Sequence, residues 1–235
     1  MFYKISNTAS LQTLESFLER PFKYPHLYGP QVLIDGMEEV TLPMVSMAES
    51  NLITPAIWGI LPQGYKEEWQ FFQQTCNSLN VSLGSMSTNL WYAKALKDRR
   101  CLIPITGFFT YYFHQGLIYP YYFYRRNHAP FCLTGLYNTT YEDFKTCSII
   151  TCHIDDVASK VHNMGQAMPM IIHEEQHGAW LQRDTDFEEL KNIFDTPHNY
   201  QVLCHPIARE FFKNNVIYDS FLEPTYYKNI PSGFF

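Results

Sequence analysis

The chain has 235 residues, of which 46% are hydrophobic and 17% are charged, and its formal net charge at pH 7 is -6. This composition excludes an extensively disordered chain, and the acidic balance excludes a general affinity for phosphate backbones, so any nucleic-acid site must be local. No run approaches the roughly 20 apolar residues of a membrane span. Six cysteines without a C-x-x-C pair, and a start that does not resemble a signal peptide, predict reduced thiols in the cytoplasm.

The N-terminal part of the chain predicts a strand, a short helix and then brief strands. The segment "LQTLESFL" has its apolar residues on one helical face, follows the cap candidate Ser10, and must end before Pro21. Residues 22–66 carry five prolines among short apolar runs, which indicates loops and short strands. The segments "KEEWQFFQQTCNSL" and "STNLWYAKALKDRR" then predict two further helices.

The central part of the chain predicts the main sheet. From Cys101 to His153, four or five runs rich in Ile, Phe, Tyr and Thr are separated by turn signals, a spacing typical of an antiparallel meander. A short helix near 155–161, a strand at "AMPMII", two helices and the strand "QVLCHPI" follow. We find no repeat, low-complexity tract or linker, so we expect one α+β domain over residues 1–235.

Residues 173–177 read His-Glu-Glu-Gln-His and match the H-E-x-x-H pattern of zinc proteases. In that pattern two histidines on one helical face bind zinc, and the glutamate acts as a general base. The apolar run "MPMII" places His173 at a strand end and His177 in the first helical turn. The Gly and His residues that follow the second histidine in metzincins are also missing. We therefore expect an exposed helix start without a metal, and zinc proteolysis is a remote alternative.

Three segments occur in an order that is typical of a known family: "WGILP" at 58–62, "RRCLIPITGFFTYYF" at 99–113 and "VHNMGQAMPMII" at 161–172. Together with "HPIAREFFKNN" at 205–215 they resemble the SRAP family, the SOS response-associated peptidases, over nearly the whole chain. Family members carry "MCGR", "WGLIP", "NARAET", "RRCLIPADGFYEW", "HxRMP" and "HPVS" in the same order. The resemblance implies an α+β domain in which short helices flank a central antiparallel, barrel-like β-sheet.

The resemblance also implies a specific chemistry. In the family the first methionine is removed, and the new N-terminal cysteine attacks the aldehyde of an abasic site in single-stranded DNA. Its α-amine forms a Schiff base and its thiol closes a thiazolidine, which leaves a stable protein-DNA crosslink. An α-amino group has a pKa of roughly 8, so a useful fraction is neutral at physiological pH. A glutamate and a histidine move protons and an asparagine positions the terminus; no cofactor is expected.

Four residues of this chain fall on functional positions of the family. His162 matches the family histidine, Asn80 matches the asparagine of "NARAET", and Trp58 lies in the matched tryptophan motif. Lys4 replaces the arginine of "MCGR" and keeps its charge. The resemblance implies that Asn80 and His162 belong to the catalytic site, and that Trp58 and Lys4 contact DNA. Taken alone, Asn80 also fits a turn residue and His162 a capping histidine.

Other matched positions depart from the family. The cysteine position is Phe2, whose bulk should prevent removal of Met1, so we expect neither autoprocessing nor thiazolidine closure. The catalytic glutamate is replaced by Thr110, which cannot act as a carboxylate. The two arginines expected to contact phosphates are replaced by Ser82 and Ala167, and loss of two bidentate donors weakens the case for DNA binding.

Two functional hypotheses follow from this pattern. The first is a divergent family member of the DNA damage response, which binds single-stranded or abasic-site DNA in a channel near Met1, Asn80, Thr110 and His162 but lacks thiazolidine crosslinking. The second is a pseudoenzyme that uses the old cleft for a protein or a small ligand. The sequence leaves open whether any catalysis survives. Salt-dependent binding to a single-stranded oligonucleotide distinguishes the two hypotheses.

Overall fold

The computed structural model describes residues 3–86, 90–196, 202–212 and 218–234.

The first helix follows its sequence signals closely. Helix α1 runs over Leu11–Leu18, and the Ser10 hydroxyl accepts a hydrogen bond from the backbone N–H of Thr13 at 3.1 Å. Leu14 and Leu18 are buried. The prediction of a capped amphipathic helix at this place is confirmed.

The described chain contains thirteen strands and five α-helices. The strands are β1 (Lys4–Asn7), β2 (Gln31–Asp35), β3 (Thr41–Ser46), β4 (Glu49–Trp58), β5 (Asn80–Ser82), β6 (Arg100–Ile105), β7 (Gly107–His114), β8 (Leu117–Arg125), β9 (Phe131–Thr139), β10 (Lys145–His153), β11 (Ala167–Pro169), β12 (Ile171–Ile172) and β13 (Val202–Pro206). The remaining helices are α2 (Trp69–Thr75), α3 (Leu90–Asp98), α4 (His177–Leu181) and α5 (Phe187–Asp195). No helix in the described ranges combines the length and apolarity needed to cross a membrane.

The strands form two sheets. One sheet is fully antiparallel, with the order β13-β8-β7-β1-β2. The second has the order β11-β10-β4-β3-β6-β9-β12, and an additional pairing of β9 with β10 closes a ring of five strands. In this sheet β4 and β5 run parallel to β10. The expected α+β domain with a barrel-like, mainly antiparallel sheet is confirmed.

The segment from 101 to 153 differs from a simple meander in one respect. Its five strands are those expected, but the hairpin of β7 and β8 belongs to the first sheet, while β6, β9 and β10 pair with one another in the second. A single residue, Thr106, separates β6 from β7, and its backbone N–H donates to Ser6 O at 2.9 Å. The chain therefore changes sheets at this sharp bend, directly before the turn signal Gly107, although that signal does not predict the change of sheet.

Strand β6 lies at the centre of the molecule, because both of its faces are buried. Cys101 and Ile103 pack into the main core with Phe108 of β7, while Leu102 faces a second core. That second core contains Trp180 of α4 together with side chains from α1, α3 and α5. Alternation along the strand thus joins the two sheets on one side to the helical layer on the other.

A buried arginine fixes the helical layer to β6. The side chain of Arg100 is only 1% exposed, and it donates hydrogen bonds to the backbone carbonyls of Leu96, Trp180 and Gln182 at 2.6, 2.7 and 2.5 Å. These carbonyls belong to the last turns of α3 and α4, where the helix dipole places partial negative charge. One guanidinium therefore holds two helix ends in place.

The glycine that begins β7 allows one aromatic ring to lie against the strand, so we expect Gly107→Ala to destabilise the protein. A Cβ atom there would lie 2.3 Å from the ring of Tyr122 and 2.6 Å from Phe123 O. Overpacking of this kind costs roughly 1–3 kcal/mol or more. Urea unfolding at equilibrium measures the change.

Gly178→Ala in α4 is the matched control, because nothing lies within 4 Å of the added methyl group. It should raise the free energy of unfolding by up to about 1 kcal/mol, since alanine favours the helix over glycine. Equal urea midpoints for the wild type and Gly107→Ala would contradict the packing described above.

Candidate functional site

The pairing of β1 with β7 covers only the beginning of β7. It joins Ile5 to Phe108 and Ser6 to Gly107. Farther along β7, two side chains from the loop before β11 take the place of a neighbouring strand. His162 Nδ1 lies 3.1 Å from Tyr111 O, and the Asn163 amide both donates to Phe113 O and accepts from Phe113 N–H, at 2.9 and 2.7 Å.

The imidazole of His162 is held in one orientation. Because a carbonyl only accepts, the contact with Tyr111 O requires a proton on Nδ1, and the neutral ring then keeps Nε2 as an acceptor. Burial lowers the pKa of His162, although hydrogen bonds to the backbone of Tyr111 and Ala167 oppose that shift. Gly165 packs against the ring, since a Cβ there would lie 3.2 Å from Nε2. This arrangement gives a neutral, oriented proton acceptor at pH 7.

Strand β7 also carries Thr110, which takes the glutamate position of the family pattern. Its side chain is 3% exposed, and its hydroxyl has no hydrogen-bond partner among the described residues. The rings of Tyr3 and Tyr111 stack with centroids 6.0 Å apart, so the start of the chain lies beside this part of β7. Residues 1 and 2 lie outside the described residues, so Met1 and Phe2 stay predictions.

The charge of Lys4 is compensated within the protein. Its ammonium group forms an ion pair with Asp35 on the neighbouring strand β2 and lies 5.4 Å from the centroid of the Tyr3 ring. The side chain of Lys4 is only 12% exposed. A phosphate at this place would therefore have to compete with a carboxylate that is already bound.

Trp58 connects this region to Asn80. Its indole is fully buried, and Nε1 donates to Leu79 O at 2.9 Å, directly before Asn80. The ring packs on Gly36, where a Cβ would lie only 2.8 Å away, and Gly36 N–H donates to Tyr3 O at 2.8 Å. Trp58 thus contacts the backbone at Leu79 on one side and at Gly36 on the other, and its indole is not exposed for stacking on a base.

The two positions where the family pattern has arginines lie close together. Ser82 pairs with Thr151 of β10, and Ala167 pairs with His153 on the other side of the same strand. Both Ser82 and Ala167 are exposed. The end of β10 is therefore flanked by two uncharged surface residues, where the family pattern has two cations.

The H-E-x-x-H segment lies at the predicted helix start. His173 precedes a 3-10 turn over Glu174–Gln176, and His177 begins α4. Glu174 forms an ion pair with Arg125 at 2.7 Å. His177 faces Phe17, with ring centroids 6.2 Å apart and planes at 89°. Among the residues that the structure describes, no three His, Cys, Asp or Glu side chains are grouped so that they could hold a metal ion.

The family can now be assigned. The model of the family described as SOS response associated peptidase (SRAP) matches residues 8–214. This chain belongs to the SRAP family. Two similar relatives, from Bacillus subtilis strain 168 and Bacillus phage SPbeta, are both named abasic site processing protein YoqW. Each is 24% identical over 186 residues, which cover 74% of this chain and 80% of the relative.

Solved structures share the fold of this SRAP-family chain. A protein from Bacteroides thetaiotaomicron has a TM-score of 0.82 at 19% identity, and the match covers 95% of this chain and 100% of that one. A protein from Bordetella bronchiseptica has a TM-score of 0.70 at 13% identity, with 88% and 99% of the two chains covered. The recognition of the family from its ordered motifs is confirmed.

Sequence reasoning missed three parts of this SRAP-family site. Asn163 stands beside the matched histidine, and its pairing with β7 could have been suspected from that position alone. The stacking of Tyr3 on Tyr111 and the ion pair of Lys4 with Asp35 join distant segments. No local signal identifies these contacts, because they depend on the register between strands.

His177 predicts a pH dependence of stability. Burial lowers its pKa from 6.5 to about 4, opposed by the carboxylate of Glu174. Because the folded pKa lies below the unfolded one, protonation favours the unfolded chain as the pH falls below 6.5. Between pH 7.5 and pH 5 this group should cost about 2 kcal/mol of stability. Over the same pH interval, the free energy of unfolding of His177→Leu should fall by about 2 kcal/mol less than that of the wild type.

Urea unfolding at the two pH values measures this difference. His26→Leu is the control, since His26 is exposed whereas His177 is partly buried. It should leave the wild-type pH dependence unchanged. An unaltered pH dependence in His177→Leu would show that this buried imidazole is not responsible.

Proposed function

We propose that this chain binds single-stranded DNA that carries an abasic site, in the region of β7 around Thr110, Tyr111 and His162, without forming the thiazolidine crosslink. The SRAP family and the two relatives named for abasic site processing support this substrate class. The proposal places the aldehyde of the lesion beside the start of β1, where Tyr3 approaches β7.

The orientation of His162 is the observation that carries the proposal. Its Nδ1 is engaged by Tyr111 O, burial favours the neutral ring, and Nε2 is left to accept a proton. Attack of an amine on an aldehyde needs such an acceptor, because the amine must lose protons as the carbon-nitrogen bond forms.

Phe2 limits the chemistry to the amine. Without a thiol at this position, the Schiff base formed when an amine attacks the aldehyde and water leaves cannot close to a thiazolidine. The buried cysteines are poor substitutes, since burial raises the pKa of Cys147 to about 12 and that of Cys101 well above its usual range. The amine that we assign to this step is the α-amine of Met1, because the ammonium of Lys4 is paired with Asp35.

A second candidate function is a pseudoenzyme that binds a protein or a small ligand in the same cleft. The charges favour it: Lys4 is already paired with Asp35, and the family arginine positions are the uncharged Ser82 and Ala167. A chain with a net charge of -6 gives DNA little general attraction. The two candidates differ in whether phosphate contacts exist, which the following experiments measure.

The first experiment is a denaturing gel of the purified protein with single-stranded DNA that carries one abasic site. We expect a shifted band only when borohydride is present, because hydride reduces the reversible imine to a stable secondary amine. His162→Gln should weaken this band at least tenfold. If no band forms in either lane, amine chemistry is absent and the pseudoenzyme is favoured.

Restoring the family residues provides the positive arm of this experiment. The double variant Phe2→Cys, Thr110→Glu should give a crosslink without borohydride, because it returns the thiol and the carboxylate to a site that still has Asn80 and His162. Phe2→Ser, Thr110→Glu is the matched control, which has the small residue and the carboxylate but no thiol. A persistent crosslink in that control would disprove the role assigned to the thiol.

The second experiment measures non-covalent binding of undamaged single-stranded DNA as a function of salt. The wild type should bind weakly and with a shallow slope of log K against log salt. Ser82→Arg, Ala167→Arg should bind more tightly and steepen that slope by about 0.7 for each new phosphate contact. Gln12→Arg, Gln182→Arg adds the same charge at two exposed positions away from β10. Equal slopes for the two double variants would place the DNA path elsewhere.

A further inference from the structure

A cavity lies at the opposite end of β1 from His162. It has a volume of about 460 Å³ and is lined by Thr8, just after β1, whereas Tyr3 at the other end approaches the candidate site. Five residue steps of extended chain separate Tyr3 from Thr8 by roughly 16 Å. Leu222 and Glu223 also line the cavity, although the SRAP family match ends at residue 214. The cavity is thus separate from the site described above, and residues outside the family match help to form it.

Three aromatic rings form a platform beside this cavity. The planes of Tyr122, Tyr124 and His128 lie within 6–20° of one another, and their centroids are 4.9 to 6.2 Å apart. Tyr124 and His128 line the cavity, and the buried Tyr122 supports them. The ring of His205 stands nearly perpendicular to this platform, at 66° to Tyr124 and 67° to Tyr122. A stack of nearly parallel rings beside a cavity, with a perpendicular ring at its side, suits a flat ligand.

His205 also holds the C-terminal segment in place. His205 Nε2 donates to Leu222 O at 2.7 Å, since the carbonyl can only accept. Burial lowers the pKa of His205, so its ring is neutral at pH 7. Leu222 is itself buried against Phe109 and Tyr122. The cavity is therefore bounded by two packed layers.

The loop that presents His128 has a strained backbone. Asn127 and His128 have φ angles of 57° and 51°, in the left-handed region that non-glycine residues seldom occupy. Two successive residues in this conformation place the imidazole beside Tyr124. Such strain concentrates at binding sites, because the surrounding structure must hold it in place.

The lining determines which charge a ligand can carry. Of the described residues that line the cavity, Glu223 alone is an aspartate, glutamate, lysine or arginine. None of the ion pairs among the described residues includes it. Gln31 and Thr8 add neutral donors and acceptors. An N–H donor on a ligand suits the free carboxylate, whereas a phosphate would be repelled by it.

We propose that this cavity binds a planar heteroaromatic ligand of nucleoside size, which extends the stack of Tyr124 and His128, presents an N–H donor to Glu223 and carries no negative charge. Its volume lies in the range of small-molecule sites, and an aromatic lining with a few polar groups is their usual composition. The proposal does not depend on DNA binding at β7.

Calorimetric titration with four nucleosides and their analogues tests the proposal on the whole chain. Adenosine, guanosine, cytidine and thymidine are the probes, and at least one of the three with an exocyclic amine should bind saturably. For adenosine, the N6,N6-dimethyl analogue and adenosine monophosphate should each bind at least tenfold more weakly, and ribose should not bind. The Glu223→Gln variant should reduce the discrimination against the monophosphate.

Two variants locate the binding. His128→Asn removes the ring but keeps a residue that tolerates the left-handed backbone, so it should fold normally and bind about tenfold more weakly. Tyr226→Leu, which removes an exposed tyrosine that does not line the cavity, should bind like the wild type. The proposal is overturned if no nucleoside binds saturably up to about 5 mM, or if binding is unchanged in both His128→Asn and Tyr124→Leu.

Discussion

The hydrogen-bonding needs of one strand organise both ends of the first sheet. Strand β8 pairs with β7 over its whole length, but β1 pairs only with its first two residues. Beyond that point the side chains of His162 and Asn163 bond to β7, at Tyr111 and Phe113. These side chains from the loop before β11 thus take backbone hydrogen bonds of β7 that a neighbouring strand would otherwise make. The same contacts fix the imidazole on which the proposed chemistry depends.

At the other end of β7, a glycine has the corresponding role. Gly107 leaves space for the ring of Tyr122, which then supports Tyr124 and His128 beside the second cavity. The sharp passage from β6 to β7 through Thr106 brings this glycine next to β1. The candidate site thus lies along the second half of β7, whereas the cavity lies beside the aromatic rings that Tyr122 supports at the strand's beginning.

The divergent features of the candidate site concern charge and reactivity more than architecture. The family fold is retained, and Trp58 still joins Leu79 to the segment around Gly36. What differs from the family pattern is the set of groups at the proposed DNA site: Thr110 is neutral, and the charge of Lys4 is compensated by Asp35. A protein can keep a fold after the chemistry of its site has altered, so the substrate must be established separately from the fold.

Local patterns and motif order were enough to predict the capped helix after Ser10, the four or five strands from Cys101, the start of a helix near His177 and membership of the SRAP family. These features depend on local periodicity, on capping side chains, or on the order of motifs. Only the three-dimensional structure shows that β7 and β8 leave the sheet of β6, that Lys4 is paired with Asp35, and that an aromatic cavity exists. These three features depend on the register between strands and on the change of sheet between β6 and β7. Both bring together residues that are distant in the chain, and no local pattern encodes such pairings.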